Sequence, residues 1–173
     1  MTRFPQPAWS LLLLGFAAMP VASVVAQGQP AVVAPDPLVA VADADPLELA
    51  RVVQRLGDDA VVARLKATQR TEVRLAAIRA TRYLRVPESA LLLLPAIIGE
   101  RDDLLGQAAA RAVYAIVSAL TIDDLQRHEI LPAELAPACA ALERVVATEH
   151  VRADLRALAK ASAATLSSLT SAR

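Results

Sequence analysis

The two histidines and the single cysteine are the side chains of this sequence best suited to metal or nucleophilic chemistry. His128 is followed by Glu129, as in the zinc-protease helix motif, in which a second histidine lies one turn further along. That position holds Pro132, which has no ligating group and ends a helix, so the motif is absent. A metal-dependent enzyme that uses His128, His150 and nearby carboxylates is one hypothesis that stays open.

The remaining reactive groups have structural explanations. Cys139 stands in an alanine-rich segment, where a thiol packs as a small hydrophobic group. The acidic pairs Asp102-Asp103 and Asp123-Asp124 stand at expected helix starts, where capping accounts for carboxylates. Neither a glycine-rich phosphate loop nor a Gly-x-Ser-x-Gly motif occurs. We therefore expect no catalytic residue, no cofactor and no metal ligand, and we predict that the protein is not an enzyme.

The chain is built mainly from helix-forming residues. Of its 173 residues, 38 are alanine and 26 are leucine, whereas aromatic residues make up 3%. Alanine and leucine favour helices and the length suits one domain, so the composition predicts an all-α domain. Because 18 Lys and Arg side chains balance 18 Asp and Glu side chains, no excess positive charge favours a nucleic acid as partner.

Residues 1–26 have the layout of a secretory signal peptide. Arg3 precedes an apolar run at 11–19, and Val24 and Ala26 supply the small side chains that signal peptidase requires before Gln27. An uncleaved membrane anchor is the alternative, although this run has about ten residues and a spanning helix needs about 20. We expect export to the periplasm or the extracellular space, with no membrane span after cleavage.

The mature chain is predicted to begin with a flexible leader over residues 27–44, which contain three prolines and no helical period. Helices are then predicted throughout residues 45–173. Asp45-Pro46 is typical of a helix start, because the carboxylate caps the helix and proline fits its first turn. Gly57 is typical of a helix end.

Two later helices carry most of the predicted core. A helix over about 88–98 is apolar nearly all round, and Pro95 is expected to kink it. The longest helix is predicted over about 104–120. Its core-facing seam mixes small and large residues, namely Leu105, Ala108, Ala109, Ala112, Val113, Ile116 and Leu120.

Three segments of the sequence share the opening of an alanine-rich helix. They begin at Val73-Arg74, Leu105-Gly106 and Val151-Arg152. Before the second of them, Leu93-Leu94-Pro95 precedes a loop that contains Asp102. This order of leucine pair, proline, loop aspartate and alanine-rich helix resembles the HEAT repeat family, although the central copy lacks the arginine.

The resemblance covers about residues 46–169 and implies a short right-handed α-solenoid of about three antiparallel helix pairs. In such folds the second helices of the pairs form a concave face that binds other proteins. The resemblance therefore implies a non-catalytic scaffold or adaptor with a protein partner. The expected contact residues are polar side chains of the second helices, namely Arg74, Arg79, Arg82, Gln107, Arg111, Arg152 and Arg156.

Other interpretations stay open beside this one. A compact alanine-rich bundle with a structural or chaperone-like role in the cell envelope would show the same caps and periodicity. The metal-dependent enzyme is the remaining alternative. For each arginine taken singly, the alternative role is solvation or pairing with a loop carboxylate such as Asp102 or Asp103.

Overall fold

The computed structural model describes residues 35–43 and 45–171, and all regular structure in this part of the chain is helical. The predicted all-α class is confirmed for these residues. The signal peptide predicted for residues 1–26 lies outside them, as do residues 27–34 and 44 of the predicted leader. No helix of the described ranges is long and apolar enough to cross a bilayer. The helices are α1 (Pro37–Val41), α2 (Pro46–Leu56), α3 (Asp58–Ala63), α4 (Thr71–Ala80), α5 (Leu94–Ile98), α6 (Asp103–Ala119), α7 (Ile122–Arg127), α8 (Pro132–Ala147) and α9 (Ala153–Ser171).

Capping side chains set several of the helix ends. The Asp45 carboxylate accepts a 2.9 Å hydrogen bond from the Leu47 backbone N–H at the start of α2. Thr121 and Asp124 form a reciprocal capping box at the start of α7, with both backbone N–H bonds at 3.1 Å. Gly57 has a φ of 80° and ends α2 in a conformation that favours glycine. These ends agree with the sequence patterns.

The structure differs from the predicted flexible leader at α1. The Asp36 carboxylate caps this helix through the Leu38 N–H at 2.9 Å, and it also pairs with Arg64 at 2.8 Å. Leu38 is fully buried, which anchors α1 against the helices that follow. Asp36-Pro37 is the same capping signal as Asp45-Pro46, so the sequence held the information for this helix.

The helix predicted over about 88–98 is divided in the structure. A 3₁₀ segment covers Pro87–Leu92, and α5 begins at Leu94, with Pro95 in its first turn rather than at a kink. Proline suits that place because the first-turn N–H groups have no partner inside the helix. Another 3₁₀ segment, Thr81–Tyr83, ends α4.

Helix α6 is the central element of the packing. It contacts α4 on one flank and α9 on the other, and it also packs on α5. Helix α8 packs on α9 and α5. The helices meet in one continuous hydrophobic core, whose largest fully buried side chains include Leu65, Ile78, Leu91, Leu94, Ile98, Leu105, Leu142 and Leu166.

Candidate functional site

Four of the seven predicted contact residues line one groove between α4 and α6. Arg79 lies in α4, Arg82 lies in the 3₁₀ segment that follows it, and Gln107 and Arg111 lie in α6. We call this cleft the α4–α6 groove, and its volume is about 540 Å³. The remaining three predicted residues, Arg74, Arg152 and Arg156, lie outside it.

The floor of the α4–α6 groove is apolar. Leu75 of α4 and Ala108, Ala112 and Ala115 of α6 line it, and Leu104 at its edge keeps 56% of its surface exposed. The short alanine side chains do not fill the space between the helices, so a cleft remains there. A groove of this volume falls in the range of about 300–1,000 Å³ that is typical of ligand sites.

The arginines of the groove differ in how their charge is compensated. Arg79 forms an ion pair with Asp43, which lies between α1 and α2. The Arg82 guanidinium lies over the Tyr83 ring, 4.8 Å from its centroid, which restrains it by a cation–π contact. Within residues 35–43 and 45–171, no carboxylate lies within 4.0 Å of Arg82 or Arg111. The groove therefore carries more positive than negative charge.

Arg74 is buried and serves the fold. Its guanidinium donates two hydrogen bonds to the Glu100 carboxylate, at 2.7 and 2.6 Å, and its Nε donates to the Leu65 carbonyl at 3.2 Å. The hydrogen bonds with Glu100 raise the pKa of Arg74 above its ordinary value. The contact with Glu100 joins residues 26 positions apart, so the buried Arg74 holds α4 to the loop before α6 and is not available to a partner.

Arg152 and Arg156 lie at the start of α9, away from the α4–α6 groove. Arg152 is exposed and donates to both oxygens of Asp154, at 3.1 and 2.9 Å. The hydrogen bond from Arg152 lowers the pKa of Asp154. Arg156 is half-buried. The structure thus groups the predicted residues of α4 and α6 and separates those of α9 from them.

The two histidines are engaged in separate structural contacts. His128 Nδ1 lies 3.2 Å from the carboxylate of Glu88, which is buried, and His150 Nε2 lies 3.0 Å from the Gly99 carbonyl. In the ranges that the structure describes, no three His, Cys, Asp or Glu residues form a group that could hold a metal ion. The metal-site hypothesis thus gains no support from their placement.

Cys139 lies where α8 packs on α9. Its Sγ lies 3.7 Å from the Ala163 carbonyl, and the side chain is partly buried. Burial raises the pKa of the Cys139 thiol, and the negative charge of Glu143 raises it further. Both effects disfavour the thiolate, which is the nucleophilic form.

Sequence reasoning missed the apolar part of the groove and misplaced two alanines. Ala108 and Ala112 were expected in the buried seam of the longest helix, but both are half-buried and line the groove. Leu105, Ala109, Val113, Ile116 and Leu120 of the same seam are buried. Ala108, Ala112 and Ala115 follow helical spacing, yet α6 contains so many alanines that periodicity alone could not distinguish an open stripe from a closed one. The carboxylate of Asp43 was also missed, because its approach to Arg79 depends on α1.

The chain was compared with protein-family models, with curated proteins and with solved structures, and none of the three comparisons gave a match. The resemblance to HEAT repeats therefore rests on the sequence pattern alone. The interpretation of the site accordingly rests on the geometry of the α4–α6 groove.

Proposed function

We propose that this chain is an exported, non-catalytic scaffold or adaptor that binds a protein partner in the α4–α6 groove. The observation that carries the proposal is the convergence of Arg79, Arg82, Gln107 and Arg111 around an apolar floor. Protein-binding sites typically combine an apolar centre with a polar rim, and arginine is enriched among the residues that contribute most to affinity. The groove has both parts.

The order of helix contacts supports a solenoid arrangement. Helix α4 contacts α6, and α6 contacts α9. The second helices of three stacked pairs would make contacts in the same order. The preceding segments would be the first helices, and of these α5 and α8 are in contact. We therefore propose a short right-handed, HEAT-like α-solenoid, in which the α4–α6 groove belongs to the face of the second helices.

Two contacts between successive pairs support a rigid scaffold. Arg74 joins the first pair to Glu100 in the loop of the second. His150, in the loop between α8 and α9 of the third pair, contacts Gly99 in that same loop of the second. A scaffold held in this way keeps its binding face in one shape. The free energy of binding is then not reduced by the cost of ordering the site.

The proposal of export rests on the layout of residues 1–26, with Arg3, the apolar run and the small residues Val24 and Ala26. The compartment would be the periplasm or the extracellular space. The proposal of a non-catalytic role is supported by the roles of the candidate reactive groups. His128, His150 and Cys139 each contact a group of the fold, and none lines the α4–α6 groove.

Site-specific photocrosslinking tests the proposed function. A photoreactive phenylalanine analogue replaces Ala115, an exposed alanine that lines the groove, or Ala164, an exposed alanine of α9. The full chain carrying either replacement is produced in its own host and irradiated. We expect a discrete protein adduct from position 115 and not from position 164, because only the first lies in the groove.

The control at Ala164 makes this result specific. Both positions are exposed alanines in helices, so non-specific crosslinking would label them equally. Equal labelling, or no protein adduct from position 115, would contradict the proposed function. A turnover activity of the purified chain that a single substitution abolishes would contradict its non-catalytic part.

A further inference from the structure

We propose that the partner enters the α4–α6 groove with an acidic segment, whose carboxylates pair with Arg82 and Arg111 and whose apolar side chain packs on the floor. This inference deepens the proposed function and rests on it. It specifies the chemistry of the bound segment, which the sequence pattern alone does not indicate.

The charge of the groove favours a carboxylate-bearing segment. Arg79, Arg82 and Arg111 line the groove, and among the described carboxylates Asp43 pairs with Arg79 and none pairs with the other two. The planar guanidinium group donates paired hydrogen bonds that match the two oxygens of a carboxylate. Arg74, on the same helix as Arg79, already binds Glu100 in this bidentate way. An incoming Asp or Glu would bind Arg82 or Arg111 similarly.

The apolar floor distinguishes a polypeptide from a plain polyanion. Leu75, Ala108 and Ala112 offer no hydrogen-bond donor or charge to a phosphate backbone, but they offer surface to an aliphatic side chain. Gln107 lies beside them, and its amide group both donates and accepts hydrogen bonds, as a peptide backbone requires. An acidic segment with an interspersed aliphatic residue satisfies all of these groups together.

Asp43 occupies the position that a partner's carboxylate would take at Arg79. Its side chain is 89% exposed, and that of Arg79 is 41% exposed, so water screens the pair and makes it weak. Such a pair exchanges readily for an incoming carboxylate. Asp43 is thus an internal competitor at one end of the groove, and its removal is expected to strengthen binding.

The experiment measures binding of fluorescein-labelled peptides to the full chain by fluorescence anisotropy. The acidic probe has the sequence EELLEELLEE, and the matched probes replace every glutamate by glutamine or by lysine. We expect the acidic probe to bind about tenfold more tightly than the glutamine probe, because charged hydrogen bonds are stronger than neutral ones. Added salt should reduce this difference.

Charge reversal in the groove supplies the matched variants. Arg82→Glu with Arg111→Glu should abolish the preference for the acidic probe and create one for the lysine probe. Arg144→Glu with Lys160→Glu changes the net charge equally on exposed positions of α8 and α9, outside the groove, and should leave the preference intact. Asp43→Asn should tighten binding of the acidic probe about two- to fivefold, since exposed ion pairs are individually weak.

The outcomes separate this inference from the proposed function. The acidic and glutamine probes could bind equally, or the two double variants could lose equal affinity for the acidic probe. Either result would contradict the inference that the bound segment is acidic. Displacement of the acidic probe from the groove by a single-stranded oligonucleotide at physiological salt would contradict a polypeptide ligand and favour a polyanion. Failure of the proposed function would instead appear as the absence of a position-specific adduct at Ala115. Circular dichroism of every variant confirms that it is folded.

Discussion

The two flanks of α6 pack differently although one helix provides both. Toward α9, Gly106 is buried, and a Cβ added there would lie at an ordinary contact distance, 3.5 Å, from Leu155 Cδ1. Toward α4, Ala108 and Ala112 stay half-buried and line an open groove. The difference lies in what the neighbouring helix supplies. On α9 a leucine fills the interface, whereas the heads of Arg79 on α4 and of Arg82 in the following 3₁₀ segment remain near solvent.

This comparison shows that small residues on a helix do not by themselves close an interface. They allow close approach only where the partner helix provides side chains that fill the remaining space. Where the partner provides long charged side chains, the same alanines become the floor of a groove. The closed flank of α6 contributes to the core, and the open flank leaves a groove.

The largest expected effect on stability is at the buried Arg74 of α4. Arg74→Met should lower the free energy of unfolding by about 2–3 kcal/mol, because it leaves Glu100 and the Leu65 carbonyl without their donor. The partial exposure of Glu100 keeps the loss at this level. Urea denaturation gives the value. A loss below about 0.5 kcal/mol, as for an ordinary surface site, would show that the contacts of Arg74 do not stabilise the fold.

A matched pair of substitutions tests which positions of α6 are closely packed. Ala109 is fully buried, so Ala109→Leu should lower the free energy of unfolding by about 1–3 kcal/mol through overpacking. Ala112 lines the groove, so Ala112→Leu should change it by less than about 0.5 kcal/mol. The added side chain at 112 should instead fill the groove and weaken binding of the acidic peptide.

Thermal and urea denaturation of both variants, beside peptide anisotropy of Ala112→Leu, give the comparison. Equal destabilisation by the two substitutions would show that Ala112 is packed as tightly as Ala109. The open flank of α6 would then not exist in solution.

Thiol reactivity compares a packed interface with the groove. Because burial and Glu143 raise the pKa of Cys139, a smaller fraction of it is thiolate near pH 8 than for an ordinary cysteine, whose pKa is about 8.5. Its reaction with a disulfide reagent should be slow and should accelerate as the pH rises above that value. In a Cys139→Ala background, a cysteine replacing Ala112 should react several-fold faster at pH 8. Reaction at equal rates would contradict the difference in packing.

A small gain in stability is expected at the α9 flank. Gly106→Ala should raise the free energy of unfolding by about 0.5–1 kcal/mol, because alanine favours the helix interior over glycine. The new Cβ would meet Leu155 Cδ1 at 3.5 Å and the Ile98 carbonyl at 3.6 Å, both ordinary contact distances. Urea denaturation measures the change. A destabilised variant would mean that α6 and α9 approach more closely than these distances.

The local part of this structure could be predicted from sequence. The capping signals Asp45-Pro46 and Thr121 with Asp124 act within one helical turn, so the residues that make them are adjacent in the sequence. Asp36-Pro37 is an equally local signal, and the surrounding prolines concealed it. The division of residues 88–98 into a 3₁₀ segment and α5 was missed. Proline is found both at kinks and in the first turn of a helix, so Pro95 did not distinguish the two.

The long-range part could not be predicted in the same way. Arg74 and Arg79 lie on one helix and are of one type, but Arg74 meets Glu100, 26 positions away, and Arg79 meets Asp43, 36 positions away. Only the packing of the helices decides which of them is buried. The α4–α6 groove likewise depends on packing, since Ala42, Pro46 and Leu49 of the α1–α2 segment also line it. Four of its polar lining residues were among the predicted contact residues, whereas Thr81 and the apolar floor were not.

The central claim is that the α4–α6 groove is the binding face of this chain. Chemical-shift mapping tests it most directly, with the isotope-labelled full chain titrated with the EELLEELLEE peptide. We expect little change along α8 and α9 and the largest shifts at the residues that line the groove, namely Leu75, Arg79, Arg82, Gln107 and Arg111. Shifts centred on α9, or on the exposed apolar residues Ile122 and Leu131 outside the groove, would contradict it.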